Sequence, residues 1–227
     1  MKKTIFLFFI CSISSFCQEI PDFTEIDSLY REDQFYVNIS YNFLRNKPKD
    51  IFQNSFSTGI NLGFLRDYPI NKKRTFAIAP GIGLSYNNYK QNLLIDNTNN
   101  QIEYKPLTSN SPYDKNKFSL YFVDFPIEFR WRNSTPESHR FYRIYTGFKF
   151  SYLLFSQSVF IDNSRKVQID SNPDFNKIQY GVYTAVGYNS WNLYVYYGLN
   201  SIFKNTVIAN DPIKISTLNI GLMFYIL

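Results

Sequence analysis

The 227-residue chain carries 24 Lys and Arg against 18 Asp and Glu, a formal charge of +6, and its cations are scattered rather than striped, which leaves little basis for a nucleic-acid partner. Both cysteines, Cys11 and Cys17, fall in a segment expected to be removed, so the mature chain has no disulfide framework, thiolate metal site or cysteine nucleophile. With 19 Tyr and 23 Phe, and past the first residues no apolar run of the ~18 residues a membrane helix needs, the composition excludes a helical membrane protein and suits alternating strands in lipid.

Residues 1–17 have the order of a secretory signal peptide: Lys2 and Lys3, the apolar run IFLFFI, then small residues before Gln18. A lipoprotein signal centred on Cys17 would want a small residue where Phe16 stands. Residues 18–33 follow as an acidic arm, with Glu19, Asp22, Glu25, Asp27, Glu32 and Asp33 against Arg31 alone. The arm is either a solvated leader or a recognition segment for a basic periplasmic surface.

From residue 34 the period is two. QFYVNISYNF sets Phe35, Val37, Ile39, Tyr41 and Phe43 against Tyr36, Asn38, Ser40 and Asn42, and SFSTGINLGF sets Phe56, Ile60, Leu62 and Phe64 against Ser57, Gly59, Asn61 and Gly63. TFAIAPGIGLSY continues the alternation with Ala77, Ala79, Gly81, Gly83 and Ser85 on the small face. The segment near 117–132 places Val123, Phe125, Ile127, Phe129 and Trp131 opposite Asp124, Glu128, Arg130 and Arg132. FYRIYTGFKFSYLLF, IQYGVYTAVGY, WNLYVYYGL and TLNIGLMFYIL complete eight strands.

These strands predict an all-β fold over residues 34–227, an eight-stranded antiparallel transmembrane β-barrel in the outer membrane with a filled polar lumen. Connections alternate in length. Outer loops are expected near 45–53, 89–117, 156–177 and 204–212, and periplasmic turns near 66–73, 133–139 and 189–192. Trp131, Tyr142, Tyr188 and Trp191 share outward parity at the periplasmic rim, forming an aromatic girdle that a soluble barrel with its apolar face inward would not need. The charged face of the fourth and fifth strands, Asp124, Glu128, Arg130, Arg143 and Lys149, is expected to form an ionic network across the lumen, a plug more readily than a conducting or proton-relaying path. Pro80 and Pro126 each remove a backbone donor from adjacent strands, so bulges are expected there; a seam meant to yield or to take a partner strand is the functional alternative.

No pattern points to catalysis or to a cofactor. The single histidine, His139, falls in a periplasmic turn, away from any outer-leaflet lipid chemistry. Asp96 with Asn97, Asn99 and Asn100 has the composition of a wet loop, not a calcium loop, and there is no zinc cluster or phosphate-binding glycine loop. The expectation is a protein that is not an enzyme and holds no metal.

The stretch DFPIEFRWRNSTPE followed by FYRIYTGFKFSYLL, about residues 122–155, resembles the PorT family of outer-membrane barrels in the type IX secretion and gliding apparatus. The acidic-Pro-apolar-Glu strand, the RWR end, the Ser-Thr-Pro turn and RIYTGFK carry the likeness. The rest of the chain resembles that family and the wider PorT-like porins alike, in length, signal peptide and strand count. The resemblance implies a role in exporting cargo across the outer membrane, with outer-membrane lipid and other secretion-system proteins on the periplasmic side as partners. The alternative is a stand-alone surface barrel that binds a ligand or cell surface through its long outer loops.

Overall fold

The computed structural model describes residues 33–53, 55–98, 101–108, 112–133, 142–204, 206–208 and 211–226. The expected signal peptide, the acidic arm up to residue 32, Asn99, Asn100 and the turn with His139 lie outside the described residues.

Eight strands close into an antiparallel barrel: β1 (Gln34–Arg45), β2 (Thr58–Leu65), β3 (Phe76–Lys90), β4 (Lys115–Arg132), β5 (Tyr142–Ile161), β6 (Ile178–Tyr188), β7 (Trp191–Gly198) and β8 (Ser216–Ile226). Each pairs with its sequence neighbour, and β1 pairs with β8 to remove the edge that lipid could not satisfy. From Phe76, the paired residues Trp131, Ile144, Val186, Leu193, Leu222, Ile39 and Ile60 lead once around the barrel and back to β3 at Tyr86, a stagger of ten residues. With ~3.3 Å per residue and ~4.8 Å between strands, that stagger sets a tilt of about 40°. The rise from Phe76 to Tyr86 is then ~25 Å, the height of an outer-membrane apolar band.

Burial follows the sequence alternation. In β1 the pattern is strictly alternate, with Phe35 and Ile39 exposed and Tyr36, Asn38, Ser40 and Asn42 buried. Val123, Phe125, Ile127, Phe129 and Trp131 face outward on β4, while Asp124, Glu128, Arg130 and Arg132 face the lumen.

Three details differ from the sequence expectation. The prolines cause no bulge: the β3–β4 register is the same on both sides of them, and the ladder only lapses between the pairs Pro80–Ile127 and Gly83–Asp124. The bulge is at Leu154, where Tyr121 pairs with Phe155 but Phe122 with Leu153. It lets Leu154 and Phe155 both face outward and shifts the parity of the rest of β5.

The second difference is at the β2–β3 turn, expected from residue 66. Tyr68 and Pro69 continue the β2 register on β3, Arg66 N–H donates to Pro80 O and Ile70 N–H to Phe76 O, each at 2.9 Å, so the turn begins only after Ile70. The third lies in the long loops. Residues 93–98 and 101–106 form a hairpin, Lys166–Asp170 pairs with the extension of β5, and Val207–Ile208 pairs with Asp211–Pro212.

Candidate functional site

Among the described residues the buried charges gather in the lumen, which is filled in layers. Nearest the short turns lies an ionic layer. Arg130 Nε donates to Glu128 Oε2 at 2.8 Å, and its Nη1 donates to Asp67 Oδ1 at 2.9 Å. Arg132 grips the same Asp67 with both terminal nitrogens, at 2.9 and 2.8 Å. The other oxygen of Glu128 accepts hydrogen bonds from Tyr183 and Tyr225 at 3.0 and 2.9 Å. Each carboxylate therefore meets a guanidinium, and Glu128 gains two phenolic donors as well, which suits charges taken out of water.

Further along, Lys149 Nζ lies 3.3 Å from Asp124 Oδ2 across β4 and β5 and 4.6 Å from the Tyr196 ring centroid. Arg143 is buried beside the rings of Tyr145 and Tyr225, at 5.7 and 5.5 Å. The five lumen residues expected from sequence are thus all inward and buried, and four of them fall in two groups, Glu128 and Arg130 with Asp67 and Arg132, and Asp124 with Lys149, while Arg143 lies against the tyrosine rings. The sequence reading missed Asp67, having ended β2 at Phe64. The signal was present, because the inward series Asn61, Gly63, Leu65 runs on to Asp67.

Above the charges comes an amide layer. Asn61 donates to Asn38 at 2.6 Å, Asn42 to Asn87 at 3.1 Å, and Thr217 to Asn219 at 2.6 Å. Tyr36 fits against Gly63 and Gly83, where any Cβ would collide with its ring or hydroxyl. Toward the long loops the filling becomes apolar. Leu44, Tyr89, Phe118, Leu120 and Phe122 from the strands pack with Ile51, Leu93, Ile95, Phe175, Phe203 and Ile213 from the loops. The loops supply ten of the sixteen buried residues of this hydrophobic core, so this end is a lid of packed side chains. A cavity of about 10 Å³ beside Tyr36, Asn61, Glu128 and Lys149 has room for one water.

Outside, Trp131, Tyr142, Tyr188 and Trp191 are exposed near the short-turn end. The rings of Tyr142 and Tyr188 lie 4.8 Å apart, and Trp191 packs on Phe224 at 5.3 Å. A second set, Tyr41, Tyr86, Tyr121 and Phe155, marks the loop end, with Tyr86 and Tyr121 at 4.9 Å and Tyr121 and Phe155 at 5.7 Å. Ile39, Ile60, Leu62, Ile82, Leu84, Ile144, Leu193 and Leu222 fill the band between them. Two aromatic rings around an aliphatic belt match a bilayer's two interfaces.

A family model described as outer membrane protein beta-barrel domain matches residues 16–204. The chain belongs to the outer-membrane β-barrel family. Its outer-membrane location follows from that membership and accounts for the apolar exterior. No curated protein and no solved structure matches this outer-membrane barrel. Among its described residues no group of three or more His, Cys, Asp or Glu is placed to hold a metal. Asp96, in the loop hairpin, is engaged by Arg165 at 3.0 Å.

Proposed function

We propose that this outer-membrane barrel is a non-enzymatic docking or assembly element of the type IX protein secretion and gliding apparatus, and not its conducting pore. The observation that carries the non-conducting part is the continuous filling of the lumen, from Arg130, Arg132 and Tyr145 through Tyr194 to Phe118, Phe175 and Phe203, all fully buried. An eight-stranded barrel has room for side chains and little else, and a translocating chain would have to displace both ionic groups and the apolar lid. Work done by such a barrel falls to its surfaces. Support for the secretion role is the PorT-like stretch 122–155, which forms the β4–β5 hairpin and supplies Asp124, Glu128, Arg130, Arg132, Arg143 and Lys149 to the filling.

In this proposal the partners are secretion-system proteins met on the periplasmic side, through the short turns and the acidic residues 18–33. Deleting the gene is expected to trap type IX cargo in the periplasm while general outer-membrane integrity is kept. Normal release of cargo into the medium would refute the role. A second reading, a stand-alone barrel recognising a ligand or cell surface, is favoured by the ordered hairpins and apolar core of the long loops. It expects intact secretion on deletion, together with lost surface binding.

A further inference from the structure

We propose that the outer face of the β2–β3 hairpin is a binding site for an anionic glycerophospholipid of the leaflet at the short-turn end, with an acyl chain in an apolar groove and the phosphate on Arg66. The groove has a volume of about 560 Å³ and is bordered by Phe35, Val37, Leu62, Phe64, Ile82 and Leu84. It sits beside the lapse in the β3–β4 ladder, and its wall is almost wholly apolar, so its occupant within the bilayer is hydrocarbon.

Arg66 stands at the groove's foot, two residues beyond Phe64. Leu65 and Asp67 on either side of it are buried, so strand parity turns Arg66 to the lipid face, where it is exposed. A cation there is disfavoured by hydrocarbon unless an anion meets it. Asp33 meets it through Nε at 3.4 Å, and among the described residues no other anion pairs with it, which leaves the forked terminal nitrogens able to take a phosphate.

The same hairpin continues into a tip that suits a headgroup. Tyr68, Ile70 and Phe76 are exposed around it, at the depth where amphipathic rings meet the interface. Asn71 builds the turn, accepting from Phe76 N–H at 3.0 Å and, through its carbonyl, from Arg74 N–H at 2.9 Å. At the apex Lys72 and Lys73 are exposed, with no ion-pair partner among the described residues. The turn between β6 and β7, by contrast, carries Asn189 and Ser190 and no charge. From tip to groove the order is cation, aromatic, cation, apolar trough. That order favours an anionic lipid over a zwitterionic one, whose headgroup cation meets the lysines unfavourably, and over a free anion, which leaves the trough unfilled.

The test is native mass spectrometry of the full-length barrel in detergent, titrated with phosphatidylglycerol, with phosphatidylcholine of the same chains, and with soluble glycerol phosphate. Phosphatidylglycerol should be retained about fivefold better than phosphatidylcholine, the factor that ~1 kcal/mol from one interfacial cation gives. Arg66→Gln should abolish most of that preference, and Arg66→Lys, which keeps the charge and loses the fork, should keep part of it. Leu62→Trp, which fills the groove, should lower retention of both lipids, and glycerol phosphate should not compete. Equal retention of the two lipids by the unaltered protein would overturn the site, as would a preference that survives Arg66→Gln combined with Lys72→Gln and Lys73→Gln. Displacement of the lipid by glycerol phosphate would make it a site for free anions and overturn the acyl-chain half. Heat-dependent gel mobility confirms that each variant is folded.

Discussion

Replacing Glu128 by Leu removes the anion on which three donors converge. Arg130 Nε at 2.8 Å and the hydroxyls of Tyr183 and Tyr225 at 3.0 and 2.9 Å would lose their acceptor, in a position that is 0% exposed. Arg130 would keep Asp67 at 2.9 Å, so its charge is not wholly orphaned. Two buried phenols would be left unpaired at ~1–3 kcal/mol each, and loss of one member of a buried ionic set costs about 3 to 5 kcal/mol, much of it the same energy counted another way. A loss of ~3–5 kcal/mol is expected. The control is Phe129→Leu on the neighbouring outward position, which is 55% exposed. Lipid can refill that contour, so the change should stay within ~0.5 kcal/mol, as for exposed positions generally. Urea unfolding of the barrel in lipid vesicles, followed by gel mobility and Trp fluorescence, gives both numbers. A midpoint raised by Glu128→Leu would refute the assignment of faces, because it would mean that a misplaced charge had been removed from hydrocarbon.

Asp67→Asn should cost ~3 kcal/mol in the same assay, since one carboxylate receives both Arg130 and Arg132; a neutral result would mean that the two guanidinium groups do not depend on it. Gly83→Val places a side chain where the Tyr36 hydroxyl and Leu62 carbonyl now lie and should lower stability by about 1–3 kcal/mol, whereas Leu84→Val, on the exposed face, should not. Asp162 Oδ1 accepts from the hydroxyl and N–H of Ser164 and the N–H of Arg165, bonds that hold its carboxyl below the usual range. A depressed folded value means that this contribution is present above the ordinary carboxylate pKa of about 3.8 and is lost as pH falls through the folded value. Amide exchange at Ser164 and Arg165 should therefore quicken at low pH relative to the barrel strands, and an Asp162→Asn variant should show no such change.

The period of two, read along residues 34–226, was enough to determine the class of fold, the strand count and the face of most side chains. In a barrel these are local properties: each residue's face is set by its neighbours' parity, and lipid outside a narrow lumen demands an apolar outer face along the whole membrane span. The aromatic residues at the short-turn rim were legible for the same reason, since Trp131 and Trp191 sit at strand ends that the turns define. What parity alone could not supply was register between strands. Only the folded barrel brings Asp67 of the β2 extension to Arg130 and Arg132, two strands away, and so splits one expected network into two. The bulge at Leu154 was equally hidden, because LLF reads as a plain apolar run whichever residue is left unpaired. The apolar lid was beyond the sequence pattern too. Ile51, Leu93, Ile95, Phe175, Phe203 and Ile213 are scattered through segments without strand period, and they become a core only when four loops close over the inward residues of β1, β3 and β4. Burial there depends on contacts between residues far apart in the chain, and periodicity carries no information about such contacts.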